Sequence, residues 1–136
     1  MKRFAVVLMI FTAMAFSAGA FAQQKDMKAK AAEPKSDKMT LTGEIVDMGC
    51  YTAMGAKGAD HKSCALKCIQ GGMPMGLLTA DGNLYVLTMS HDNADPFNKA
   101  KTLAADQVTI TGPTFVKNGV KTIQVDEIKD LTMSSK

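Results

Sequence analysis

From Met39 onward the chain reads in short runs of period two, and one of the connections between them is far longer than the rest. In "MTLTGEIVDM", Met39, Leu41 and Ile45 alternate with Thr40, Thr42 and Glu44, the pattern of a half-buried strand. Val46 and Met48 fall on the other parity, so the phase slips just after Gly43, which predicts a bulge or a sharp bend. A long first strand that bends is what closing a small barrel requires. "GLLTADGNLYVLTM" reads as a hairpin turned by Asp81-Gly82. "ADPFNKAKTLAAD" offers Asp95 as N-cap, Pro96 at the first helical position and about two turns of helix. In "QVTITGPTFV", Val108 and Ile110 share one face, Asn118-Gly119 turns the chain, and Ile123 and Val125 repeat the alternation. Pro113 fits only an edge or a bulge.

The order is strand, insert, strand, strand, helix, strand, strand. It predicts an all-β fold with short helices: a five-stranded OB-like Greek-key barrel with its helix between strands three and four. A plain β-sandwich is the rival architecture. The barrel domain is expected over residues 39–133.

The residues before it carry other signals. Met1-Lys2-Arg3 is a short positive head, "FAVVLMIFTAMAFSAGA" an apolar run, and Ala20-Phe21-Ala22 has small residues at the two positions a signal peptidase reads. Residues 1–22 are therefore expected to be a signal peptide, which places the chain in the periplasm or outside the cell and leaves no membrane span after cleavage. No cysteine stands at the cut, so no lipid anchor is expected. Residues 23–38, "QQKDMKAKAAEPKSDK", lack aromatic and β-branched residues and read as a flexible leader, or alternatively a short frayed helix. The chain has 16 basic and 13 acidic side chains. Cleavage removes Lys2 and Arg3 and leaves it almost neutral, which argues against nucleic acid as a partner.

The long connection, between the first and second strands, holds "CYTAMGAKGADHKSCALKC", with all three cysteines and one of the two histidines. OB-folds bind ligands at this loop. Asp60 can cap a helix running from His61 to about Gln70, ended by Gly71. At 100° per residue, His61, Cys64 and Cys68 share one face about 60° wide. Ala65 and Ile69 continue that face as an apolar one, so it should turn towards the barrel, where Cys50 ends the first strand. Lys67 and Gln70 point away.

Three chemistries suit these residues. Cys50, His61, Cys64 and Cys68 are a closed set of three thiolates and an imidazole, of the kind that holds zinc. Met48, Met54, Met73 and Met75 surround the same segment, and thioether with thiolate selects copper(I). Met48 and Met75 can equally be core packing in a chain with 11 methionines. A second chemistry is a disulfide from Cys50 to Cys64 or Cys68 with one thiol spare. It would staple the insert, stabilise by roughly 3 kcal/mol and shape an edge for another periplasmic protein. Thiol redox is the third, although C-x3-C is not the thioredoxin motif and its βαβ setting is absent. In an oxidising compartment an odd, exposed thiol is a liability unless a metal or burial protects it, which favours metal.

Pairing the hairpin so that Ala80 faces Asn83, Met75 faces Thr88 and Met73 faces Ser90 brings His91 beside the insert as an additional site neighbour, with Met73 and Met75. Asp92 and Asp95 read as turn and cap residues. No G-x-S-x-G, H-E-x-x-H or glycine-rich phosphate loop occurs, so a binding protein is expected and not an enzyme.

The combination of "TGEIVDMGCY", "HKSCALKC", "GGMPMGLLTADGNLYVL" and "VTITGPTF…GVKTIQVDEI" resembles small exported bacterial OB-fold-like proteins with a CY…HxxCAxxC…GxPxGLL insert. The likeness spans about residues 39–131 and implies the barrel and its insert, with no particular activity.

Overall fold

The first strand serves two neighbours. In the computed structural model, which describes residues 36–132, β1 (Lys38–Asp47) pairs antiparallel with β4 (Gln107–Lys117) through residues 38–44 and with β2 (Met75–Thr79) through residues 43–47. The expected signal peptide and all but the last residues of the leader lie outside the described residues. Both registers run unbroken through Gly43, so the phase slip is a hand-over between partners and not a bulge. Glycine is required there because a Cβ would stand 2.4 Å from the Leu78 carbonyl oxygen. Lys38, taken from sequence as leader, already belongs to β1, and Asp37 accepts the Thr114 N–H.

β2 continues through a hairpin into β3 (Leu84–Met89), which pairs parallel with β5 (Val120–Val125); β5 pairs with β4. The circuit β1-β2-β3-β5-β4-β1 closes a five-stranded barrel, the architecture expected from the element order. A sandwich leaves its sheets open; here β1 joins both ends.

Two details differ from the sequence reading. The β2–β3 hairpin pairs Leu78 with Leu84 and Leu77 with Tyr85, with Gly82 at φ 83°, one residue away from the register that sets Met75 opposite Thr88. The turn is a three-residue loop with its left-handed residue last, a hairpin connection second only to the two-residue turns. In addition, β6 (Glu127–Asp130) prolongs β5 along β4 after a bulge at Asp126, whose N–H donates to the Thr111 carbonyl at 3.1 Å. Asn118 and Gly119, at φ 51° and 82°, make the β4–β5 turn as expected.

The barrel interior is built from one parity of each strand: Ile45, Leu77, Leu87, Ile110, Ile123 and Val125 are all buried. α3 (Asp95–Ala100) lies between β3 and β4. Its N-cap is Ala94, not Asp95, and the Asp95 N–H donates to Asn93 Oδ1 at 3.0 Å. Among the described residues no helix is long and apolar enough to cross a membrane.

Candidate metal centre

The insert opens with a helix that period and spacing did not suggest. Asp47, the last residue of β1, has the core-facing parity of Ile45 and is fully buried. Its Oδ1 accepts the Cys50 N–H at 2.8 Å, which starts α1 (Met48–Met54). Gly55, at φ 68°, ends that helix. Cys50 is thus held in the first turn of a helix, not at a strand end.

A 3-10 turn (Ala59–His61) leads into α2 (Lys62–Gln70). Asp60 does not cap it: Asp60 is exposed, and His61 stands at the N-cap with no side-chain cap bond. The chain therefore enters α2 through the turn, steered by the Gly58 N–H on Glu44 Oε1 and by Gly58 at φ 79°. Lys62 Nζ bonds both carboxylate oxygens of Asp106 at 2.6 and 2.7 Å, tying α2 to the approach of β4. Gly71 follows the helix in an ordinary right-handed conformation, and Gly72 at φ 103° makes the turn.

α2 presents the face that its spacing predicts. Ala65 and Ile69 are buried in the core, whereas Lys67 and Gln70 are exposed. Cys64 and Cys68, one turn apart, meet Cys50 from α1, and the three Sγ atoms lie within 4.8 Å of one another. All three are free thiols; Cys50 and Cys68 are partly buried and Cys64 is exposed.

His61 is drawn to Asp47. Its Nε2 stands 3.1 Å from Asp47 Oδ2, and the ligand atoms of Asp47, Cys50 and His61 form a second set within 4.8 Å. The four residues singled out by sequence are therefore brought together, with Cys50 at the centre. Asp47 is the residue that sequence reasoning missed. Its signal was present as an acidic residue three positions before Cys50, the offset of an N-cap.

The electrostatics follow from burial and from Asp47. Burial alone pushes the Asp47 carboxyl up, but the Cys50 N–H, then His61, outweigh it and hold the carboxyl below its ordinary value. The Cys50 thiol is pushed up to about 12, first by burial, then by the Asp47 charge and the neighbouring thiols. Burial and the Cys64 sulfur raise Cys68 as well. Sulfurs this close resist ionising together unless a cation lies among them, and a bound cation deprotonates coordinating thiols outright.

The methionines divide. Met73 packs its thioether over Gly49, the residue before Cys50, where a Cβ would come within 2.9 Å of Met73 Sδ. Met75 is buried in the core, Met48 covers Gly76 with Leu84 and Val46, and Met54 is exposed. Met73, Met75, Phe97 and Leu87 line a groove of about 350 Å³. His91 is exposed in the loop after β3 and belongs to neither ligand set among the described residues; the hairpin register that brought it near is the one corrected above.

Three cysteines and an adjacent histidine–aspartate pair are thus close enough to hold a metal ion. No protein-family model, curated protein or solved structure matches the chain.

Proposed function

We propose that this is an exported, non-catalytic protein that binds a soft transition metal, zinc or copper, in the insert between the first two strands. The observation that carries the reading is the convergence of Cys50, Cys64 and Cys68 from two separate helices to within 4.8 Å. Sulfur-rich sites select copper(I) or zinc over hard cations, whose ligands are oxygens. Export rests on residues 1–22, and an exported thiol cluster needs protection from oxidation, which coordination supplies.

The test is intact mass and metal analysis of protein purified from its own compartment. About one equivalent of zinc or copper, with all three thiols alkylatable after denaturation, is the expected result. A mass lower by two hydrogens, one reactive thiol and no metal would replace this reading with a disulfide-stapled module.

A further inference from the structure

The ligand atoms do not form one symmetric cage. They close into two triads, Cys50–Cys64–Cys68 and Asp47–Cys50–His61, and Cys50 is the member common to both. The first is all sulfur and faces outward through the exposed Cys64. The second offers oxygen, nitrogen and sulfur, and lies inward: the Asp47 side chain has no exposure and the His61 side chain 17%.

Each triad has the dimensions of a separate ion site. Two nitrogen or oxygen ligands of one tetrahedral ion, bound at about 2.0–2.2 Å, stand about 3.3–3.6 Å apart. Asp47 Oδ2 and His61 Nε2 are 3.1 Å apart, a few tenths of an ångström short of that spacing, so a cation can replace their hydrogen bond after a modest turn of the two side chains. Thiolates bound at about 2.3 Å to one ion stand about 3.8–4.0 Å apart. Sulfurs already within 4.8 Å reach that spacing by rotamer adjustment alone.

Resting on the metal-binding reading above, we propose that the centre is two overlapping sites pivoted on Cys50, and that the hardness of the metal selects between them. Copper(I), soft and satisfied by three sulfurs, takes Cys50, Cys64 and Cys68. Zinc(II), which accepts carboxylate and imidazole beside thiolate, takes Asp47, Cys50 and His61, with one position left to solvent. Sharing Cys50 makes the two ions competitors for one thiolate.

The experiment measures copper(I) and zinc(II) affinities, by competition with chelators, for the reduced full-length mature protein and four variants. Cys64→Ser should lower copper(I) affinity at least about 100-fold, more than loss of an outer-shell partner does, and leave zinc(II) nearly unchanged. His61→Gln and Asp47→Asn should do the reverse, and Cys50→Ser should weaken both. Asp47→Asn keeps an acceptor for the Cys50 N–H, and His61→Gln tests the same triad should that variant fail to fold. If Cys64→Ser and His61→Gln weaken both ions by similar factors, the ligands form a single site and the two-site proposal is overturned, while metal binding itself stands. If the wild-type protein binds neither ion, the metal-binding reading falls and takes this one with it.

Discussion

Asp47 makes two contacts at once: Oδ1 takes the Cys50 N–H at 2.8 Å and Oδ2 meets His61 Nε2 at 3.1 Å. One fully buried carboxylate thereby sets both the start of α1 and the orientation of the imidazole. In the metal-free protein this contact holds the imidazole against the carboxylate, and a cation shared by the two atoms would take its place.

Removing that carboxylate should therefore cost more than a surface cap. Asp47→Ala should destabilise the metal-free protein by about 2 kcal/mol or more, because the cap is lost and buried donors are left without a partner. Asp47→Asn should cost less, since its side-chain oxygen still takes the Cys50 N–H. Urea unfolding of the two variants under reducing conditions checks this; equal losses would mean that the cap is not what Asp47 supplies.

Metal binding should tighten as pH rises. The Cys50 thiol, raised to about 12, holds its proton at neutral pH, so a cation must expel it. Each proton released makes the apparent affinity rise about tenfold per pH unit across the neutral range. Protons compete with the ion, so affinity falls on acidification. Chelator competition at several pH values measures the slope, and a flat profile would show that no thiol is being deprotonated by the ion.

The two methionines should separate cleanly. Met73 lies over Gly49, one residue before Cys50 in the chain, whereas Met75 is 3% exposed within the core. Leucine at either position preserves volume and apolarity and should change stability by less than about 1.5 kcal/mol. Met73→Leu should weaken copper(I) binding if its thioether, packed on the first turn of α1, adds a ligand, and leave zinc(II) as it was. Met75→Leu should leave both unchanged. Equal copper(I) affinity in wild type and Met73→Leu would make Met73 a packing residue.

Gly112 is the sharpest test of the barrel. A Cβ there would stand 1.8 Å from the Gln124 carbonyl oxygen, next to the bulge at Asp126. Backbone cannot yield as a flexible side chain can, so Gly112→Ala should cost about 3 kcal/mol or more. A shift in unfolding midpoint smaller than that of a surface Gly→Ala change would mean the bulge is not formed.

Local pattern by itself determined the five barrel strands, the β4–β5 turn and the sulfur face of α2, because period two, Asn118-Gly119 and the three- and four-residue spacings are each written within a few residues. The closed order of strands also followed from the sequence of elements. The hairpin register did not, since a two-residue and a three-residue loop both accommodate Asp81-Gly82 and differ by one pairing step. Nor did the role of Gly43, which the sequence presents as a bulge and the barrel uses as a point where two strands meet one. At the centre, the cysteines and His61 were legible as a set of ligand types. Their division into two triads was not. Only the tertiary structure turns Asp47 inward at the end of β1, where its buried carboxylate engages His61 while α2 brings Cys64 and Cys68 to Cys50. A buried carboxylate must find hydrogen-bond donors, and which donors are within reach is decided by how the chain folds back on itself.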